Sequence, residues 1–306
     1  MRLCRIGPES APRAAFYDEF RIIPLLDAQR VHGQSLDDIG DDLLPLLASP
    51  QVQKLAAWVD AQEYVPGQLN HEKVELLVPV PRPNKIFLLA GNYAEHIRER
   101  GGVAAERAET FPYVFMKPPT TTLNHPFKPV RIPKVSPEHI DWELELCVVI
   151  GSRCKSVSEA DALKHVAGYT IVNDITNRKY RPNEGRKKRE KDGFFDWLHG
   201  KWFDSFCPCG PCIVSTDELP DPQTLPMKLI VNGKTWQDGS SSQMIFPVAA
   251  LIEFISNMVT LEPGDLISTG TPAGVGNTTA TYLKPGDIME GTITGIGTLR
   301  TAMVAE

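Results

Sequence analysis

The sequence lacks the features of membrane proteins and of general nucleic-acid binders. No apolar run approaches the roughly 18 residues of a transmembrane helix, and the start, MRLCR, has no apolar signal-peptide core. The 32 basic side chains do not exceed the 38 acidic ones, and the net charge is -6. The basic cluster at 186–191 lies among turn-forming residues and predicts a solvated loop. We therefore expect a cytoplasmic protein with no membrane and no nucleic-acid partner.

Cysteine is also sparse, and half of it lies in one segment. Three of the six cysteines are Cys207, Cys209 and Cys212. A Cys-x-Cys-x-x-Cys cluster can bind zinc or an iron-sulfur centre, but no second cluster supplies the usual paired spacing. Redox chemistry on a cysteine-bound cofactor is therefore the weaker hypothesis, and cytosolic thiols stay reduced.

What is present is the composition of an ordinary globular protein. At 306 residues, 42% hydrophobic and 23% charged, the chain can form one large or two unequal domains. The proline-rich stretch 78–83 predicts a linker. Residues 1–80 would form a small α+β domain with a helical stretch from 35 to about 63, and residues 81–306 a β-rich domain. One clear helix is predicted after Pro247.

The most informative segment is a strand pattern that carries acids. From Ile140 to Ile150 every second residue is apolar, which predicts a β-strand with one buried face. The other face carries Asp141, Glu143 and Glu145, and same-face neighbours lie roughly 6.5 to 7 Å apart. Glu143 and Glu145 either share a hard divalent cation or repel each other. The alternative is an edge strand whose acidic face meets water.

A second β-rich stretch, 166–175, supplies a third carboxylate. Asp174 lies near its end, and a capping-box-like start at Ser158 predicts a short helix between the two strands. If the strands are neighbours, Asp174 lies beside Glu143 and Glu145. Three carboxylates without Cys or His suit Mg²⁺, Mn²⁺ or Ca²⁺ better than zinc and leave positions for water and substrate.

A histidine and a glutamate follow a buried-looking strand at the start of the second domain. Asn92 is a plausible helix N-cap, and His96 and Glu99 then lie on one face of that helix. A carboxylate beside an imidazole fixes its tautomer and raises its basicity, so the pair can act as a general base. The alternative is an exposed helix in which Glu99 merely pairs with Arg98, Arg100 or His96.

Six segments between residues 85 and 280 form a series. They are GNYAEHIRE (91–99), WELE (142–145), NDITNR (173–178), GKWFD (200–204), VNG (231–233) and PGDLISTGTP (263–272). In this order they resemble the fumarylacetoacetate hydrolase family, in the branch of acylpyruvases, 2-hydroxyhepta-2,4-diene-1,7-dioate isomerases and oxaloacetate decarboxylases. The resemblance implies a mixed α+β, β-rich fold with a mixed β-roll catalytic domain, and a homodimer.

The resemblance also implies roles for single residues. Glu143, Glu145 and Asp174 would bind Mg²⁺ or Mn²⁺, and His96 with Glu99, on a mobile helix hinged at Gly101-Gly102, would be catalytic. Lys201 would stabilise developing negative charge. The implied substrate-binding residues are Lys117, Arg178, Gln237 and Thr271. The chain departs from the family at Arg181 and Gln243, where a glutamine and an acid are frequent, so the substrate stays open.

Together these features predict a metal-dependent hydrolase that cleaves a C-C bond of a small 2-oxo acid of the acylpyruvate type. The metal lowers the energy of the enolate, and His96 with Glu99 activates water. Decarboxylation of an oxaloacetate-like acid and isomerisation of a 2-hydroxydienoate use the same enolate and remain alternatives. A hypothesis from another class is a catalytically silent, metal-binding dimer.

Overall fold

The computed structural model of the protein describes residues 1–33, 36, 40–99 and 101–306. Over these residues the chain is a strand-rich, mixed α+β protein, which confirms the predicted fold class. In the described part of the chain, no helix is both long and apolar enough to cross a bilayer.

The strands and helices of the described residues, each numbered in chain order, have the following bounds. The strands are β1 (Arg2–Ile6), β2 (Arg13–Tyr17), β3 (Ile22–Pro24), β4 (Leu76–Leu77), β5 (Ile86–Ala90), β6 (Tyr113–Met116), β7 (Leu123–Asn124), β8 (Val130–Ile132), β9 (Ile140–Asp141), β10 (Leu144–Ile150), β11 (Val166–Asn173), β12 (Thr176–Asn177), β13 (Cys207–Ser215), β14 (Pro226–Val231), β15 (Lys234–Ser240), β16 (Leu266–Ser268), β17 (Ile288–Ile293) and β18 (Gly297–Ala305). The helices are α1 (Leu25–His32), α2 (Leu43–Leu47), α3 (Pro50–Asp60), α4 (Ala94–Glu99), α5 (Glu159–Ala162), α6 (Asp192–His199) and α7 (Val248–Met258).

The main sheet places the acidic strand at its centre. Its order is β3-β2-β1-β13-β11-β10-β16-β5-β6, with β4 paired to β1 and β7 to β13. Strand β10 is antiparallel to β11 on one side and to β16 on the other, and all of its residues are buried. An edge strand has one unpaired side. The solvent-facing edge strand considered from the sequence is therefore excluded.

The two faces of β10 pack into different cores. Leu144, Leu146 and Val148 face a core shared with strands of the second sheet, whose order is β15-β14-β17-β18-β8, and with α7. Cys147 and Val149 face a core shared with the helices of the N-terminal segment. Glu145, near the start of β10, therefore lies on a face that is apolar further along the strand.

The predicted continuous strand 140–150 is interrupted where the acids begin. Residues 140–141 form β9, which pairs with β12, and β10 starts only at Leu144. The Asp141 carboxylate accepts hydrogen bonds from the backbone N–H of Trp142 and Gly276, which helps to hold the chain away from the ladder of β10. Glu143 lies in the resulting gap.

The N-terminal segment extends the main sheet. Strand β1 pairs antiparallel with β13, with Leu3 opposite Ile213. The boundary near residue 80 stays a prediction. Helix α1 was not predicted, α3 begins at Pro50 with a Ser49 cap, and position 35, the predicted start of a helical stretch, lies outside the described residues.

The helix predicted after Pro247 is confirmed as α7. Leu251, Ile252 and Ile255 are fully buried on one of its faces. The helix ends at Met258.

Candidate active site

Three buried carboxylates meet at one end of strands β10 and β11, as the sequence predicted. The antiparallel register sets Leu144 opposite Asn173, and the backbone N–H of Asp174 donates to the carbonyl of Glu143 at 2.8 Å. Carboxylate oxygens of Glu143, Glu145 and Asp174 lie within 4.8 Å of one another. The short helix predicted between the strands is also present, as α5 followed by a 3-10 turn at 163–165.

Glu143 lies between two cations. Lys201 Nζ donates to Glu143 Oε2 at 2.8 Å, and Arg178 Nη2 lies 2.7 Å from Oε1. Burial opposes ionisation, but the charges of Lys201 and Arg178 outweigh it and hold the pKa of Glu143 well below its usual range. Glu143 is therefore a carboxylate at neutral pH.

Glu145 accepts hydrogen bonds but, among the described residues, forms no ion pair with a cation. Ser268 Oγ donates to its Oε2 at 2.5 Å, and the backbone N–H of Gly270 donates at 3.0 Å. Burial, reinforced by the charges of Asp174 and Glu143, raises the pKa of Glu145 well above its usual range. A cation held by the three carboxylates would offset this cost.

Two buried lysines contact Asp174 from different directions. Lys201 Nζ donates to Asp174 Oδ2 at 2.5 Å and to Thr176 Oγ1 at 2.9 Å. Lys117 Nζ lies 2.5 Å from Asp174 Oδ1 and donates to the carbonyls of Ile175 and Phe206. Within the described residues, Oδ1 still accepts no hydrogen bond of good geometry. A buried acceptor with spare capacity, in a set of three carboxylates, fits a hard divalent cation.

The imidazole of His96 is held by Glu99, as predicted. His96 Nδ1 lies 2.6 Å from Glu99 Oε1, and Glu99 Oε2 accepts from the backbone N–H of Gly274 at 2.8 Å. Burial opposes ionisation of Glu99, but the bonds from His96 and Gly274 outweigh it and lower its pKa. An ionised Glu99 makes Nδ1 the donor and leaves Nε2 as an acceptor.

The alternative of a surface ion pair at Glu99 does not match the described contacts. Arg98 pairs with Glu95 instead, and Arg100 lies outside the described residues. His96 itself is 5% exposed. The Asn92 side chain, predicted as a helix cap, instead bonds the backbone of Phe246 and Thr269 and so fixes the approach to α4.

One small cavity collects residues from both groups. Its lining residues are Leu89, Ala90, Gly91, His96, Phe115, Glu143, Glu145, Trp197, Lys201 and Thr271. The cavity volume of about 30 Å³ exceeds the roughly 10–15 Å³ that one water needs but is far below the roughly 300 Å³ of a typical ligand site. A substrate therefore requires side chains at the wall to move.

The predicted substrate-binding residues are placed differently. Thr271 borders the cavity, and its hydroxyl donates to the carbonyl of Leu144 and accepts from Gln237. Gln237 is fully buried behind Thr271, and its Oε1 accepts from the N–H of Leu144. Arg178 joins Glu143 to Asp141. Gln237 and Arg178 contact lining residues of the cavity, whereas Lys117 contacts Asp174 behind it; all three are absent from its described lining.

Sequence reasoning missed the residues that orient the site. Ser268 holds Glu145, and Gly274 holds Glu99 through its backbone N–H. Gly274 has φ +103°, and a Cβ there would lie 1.9 Å from the carbonyl oxygen of Trp236. The only available signal was their place in the segment 268–276, rich in Gly, Ser and Thr.

The cysteine cluster does not form a metal site in the described structure. All six cysteines are free and buried. Along β13, Cys207 and Cys209 face the core beside the N-terminal helices, whereas Cys212 faces the core between the sheets. Among the described residues, the acidic trio is the one group of three or more ligand side chains close enough to share an ion.

Comparisons with known proteins agree with this geometry. The family profile described as Fumarylacetoacetate (FAA) hydrolase C-terminal matches residues 85–304. The chain is 45% identical over 226 residues to 2,4-didehydro-3-deoxy-L-rhamnonate hydrolase of Sphingomonas sp. (strain SKA58). The aligned region covers 73% of this chain and 74% of that protein. It is 37% identical over 238 residues to a mitochondrial oxaloacetate tautomerase of Homo sapiens, covering 77% and 71%.

Solved structures give the same result. Maleylpyruvate hydrolase from Sphingobium sp. SYK-6, solved in complex with manganese (II) ion and pyruvate, superposes with a TM-score of 0.72 at 28% identity, covering 100% of this chain and 99% of that chain. The family profile alone spans more than half of the sequence. The protein is therefore an enzyme of the fumarylacetoacetate hydrolase family.

Proposed function

We propose that the protein is a divalent-metal-dependent hydrolase that cleaves a C-C bond of a small 2-oxo acid of the acylpyruvate type. The observation that carries this proposal is that His96, held by Glu99, borders the same cavity as two of the three clustered carboxylates. Hydrolysis of a 1,3-diketo acid needs a base for water and stabilisation of an enolate. The hydrolase names of two relatives support the proposal.

Glu143, Glu145 and Asp174 would hold the Mg²⁺ or Mn²⁺ ion. When bound, such an ion supplies Lewis-acid stabilisation of enolate oxygen. Four buried carboxylates, including Asp141, face three buried ammonium or guanidinium groups in this cluster. A divalent ion would make the cluster net positive, which favours a substrate that carries a carboxylate.

His96 is the proposed general base. Because Glu99 holds Nδ1 as a donor, Nε2 accepts a proton from water as that water attacks the acyl carbonyl, and Glu99 stabilises the imidazolium. The C-C bond then breaks and its electron pair passes to the enolate of pyruvate. The proton on His96 returns to the enolate carbon, which gives pyruvate and a second acid. Lys201 offsets the developing negative charge.

Enolate chemistry without attack by water is the second candidate. The human relative is named as an oxaloacetate tautomerase, and an imidazole with a free Nε2 can move a proton between carbon and oxygen. The enzyme would then interconvert keto and enol forms, isomerise a 2-hydroxydienoate or release CO₂, with no second acid.

A proton NMR time course separates these reactions. Acetylpyruvate, fumarylpyruvate, oxaloacetate and a 2-hydroxydienoate are incubated with the enzyme and Mg²⁺, and with EDTA as the control. Metal-dependent formation of pyruvate plus a second acid supports the hydrolase. Isomer exchange without cleavage, or pyruvate alone from oxaloacetate, would replace it by the second candidate. No turnover of any of these acids would contradict both.

A further inference from the structure

A large apolar groove lies beside the catalytic cavity. It has a volume of about 760 Å³ and is formed by the outer strand β6, helix α6 and the end of helix α7. Its principal side chains are Tyr113, Phe115, Phe194, Trp197, Phe254 and Met258. No charged side chain borders it in the described part of the chain. The groove therefore offers dispersion and apolar burial but no partner for a second carboxylate.

The groove and the catalytic cavity share one wall. Ala90, Phe115 and Trp197 border both. The rings of Phe115 and Trp197 contact edge to face, with centroids 4.9 Å apart. Lys201 Nζ lies 5.1 Å from the centroid of Phe115 and 5.5 Å from that of Trp197. The proposed catalytic ammonium therefore rests against the two rings that separate the cavity from the groove.

Because the cavity and the groove differ in volume, they would hold different parts of one substrate. The cavity of about 30 Å³ adjoins the carboxylates and His96, so the reacting keto-acid end belongs there. A substituent on the acyl carbonyl has to leave the cavity past one of its walls. The Phe115–Trp197 wall leads into the groove, which is the larger of the two described spaces that adjoin the cavity; the other, of about 390 Å³, lies beyond Leu89, Ala90 and Gly91.

The exposure of the groove side chains supports an occupant. Tyr113 is 63% exposed, Phe194 54% and Met258 56%. An occupant of the groove would therefore bury apolar side chains that are now exposed to water. The wall that it shares with the catalytic cavity points to the substrate as that occupant.

We infer that the groove binds an apolar acyl substituent of the 2-oxo acid, an inference that rests on the proposed function. The enzyme would then be selective for acylpyruvates with alkyl or aryl chains. Each buried methylene adds about 4-fold to kcat/KM. A fumaryl or maleyl chain would place its carboxylate beside apolar rings with no counter-charge and is disfavoured.

The test compares chain lengths and groove variants. The values of kcat/KM are measured with Mg²⁺ for acetylpyruvate, butanoylpyruvate, hexanoylpyruvate and fumarylpyruvate. We expect hexanoylpyruvate to exceed acetylpyruvate by at least about 10-fold. Phe194→Ala on α6 and Met258→Ala on α7 should each reduce this ratio about 3-fold or more and leave acetylpyruvate unchanged. Phe20→Ala is the matched control, because Phe20 is 86% exposed in the turn between β2 and β3.

The outcomes separate this inference from the proposed function. Turnover without a chain-length preference, a preference for fumarylpyruvate, or a ratio unchanged in both groove variants would overturn the inference and leave the hydrolase standing. No turnover of any 2-oxo acid would overturn the proposed function and the inference with it. Sedimentation velocity of the same variants tests a second copy as the occupant. Dissociation of a dimer with an unchanged ratio would assign the groove to a subunit interface and contradict the inference.

Discussion

The two sides of the carboxylate cluster carry the same residue type in different settings. On the cavity side, Lys201 contacts Glu143 and Asp174 and borders the cavity. On the buried side, Lys117 contacts Asp174 Oδ1 and donates hydrogen bonds to the carbonyls of Ile175 and Phe206. Both lysines are 1% exposed. Burial and charge therefore do not distinguish the two lysines, whereas access to the cavity does, and on this ground we propose that Lys201 acts on substrate and that Lys117 positions Asp174.

The largest effect is expected where a proposed metal ligand is itself removed. Glu145→Gln removes a carboxylate of the cluster, so we expect kcat/KM to fall about 1000-fold and Mn²⁺ binding to weaken by at least about 100-fold. Isothermal titration with Mn²⁺ measures the second quantity without turnover. Glu138→Gln, at a carboxyl side chain that is 82% exposed, is the control. Unchanged Mn²⁺ affinity in Glu145→Gln would contradict the assignment of the metal ligands.

Removal of the base should affect the cavity side alone. His96→Ala should lower kcat about 100- to 10,000-fold, because the water loses its proton acceptor, while Mn²⁺ affinity stays within about 2-fold of wild type. Glu99→Gln keeps the imidazole but not its anionic partner, and we expect a smaller loss, about 10- to 100-fold. Steady-state kinetics with Mn²⁺ titration checks both. Full activity of either variant would rule out the pair as the base.

The two lysines provide the direct test of the comparison. Lys201→Met should lower kcat about 100-fold at saturating metal, because a stabilising charge at the cavity is lost. Lys117→Met should weaken Mn²⁺ binding about 10- to 100-fold, because Asp174 loses a positioning partner, but kcat at saturating Mn²⁺ should return to within about 3-fold of wild type. If both variants lost kcat equally at saturating metal, the proposed difference in role between Lys201 and Lys117 would be wrong.

The smallest expected effect is a dependence of stability on pH. The pKa of Glu99 is lowered in the folded protein, so its ionised form contributes stability above the ordinary value of 4.5, and this contribution is lost as pH falls through the lower folded value. Glu99→Gln should therefore cost about 1 kcal/mol near pH 7 and less as the pH falls below 4.5. Urea unfolding of both proteins across this range measures the gap. A gap that widens with acidity would contradict the lowered pKa.

The sequence was informative where chemistry and periodicity coincide within a short segment. The acid pattern around Glu143 and Glu145, the third acid Asp174 and the spacing of His96 and Glu99 each predicted a contact that the structure contains. These contacts need only the geometry of one strand pair or one helical turn.

Contacts between distant parts of the chain were beyond reach. Gln237 bonds both Leu144 and Thr271, and Gly274 bonds Glu99 across a separation of 175 residues. A polar side chain in the sequence does not show whether it faces a cavity or satisfies buried backbone. The prediction that Gln237 contacts substrate was based on its position in a motif. That role stays a prediction.

One stretch of backbone, 274–277, contacts both the His96–Glu99 pair and the carboxylate cluster. The N–H of Gly274 holds Glu99, and the N–H groups of Gly276 and Asn277 hold Asp141, which in turn holds Arg178 against Glu143. The same four residues therefore set the position of the imidazole and of the carboxylates together. A change of backbone conformation here would displace both groups, although neither lies in this stretch.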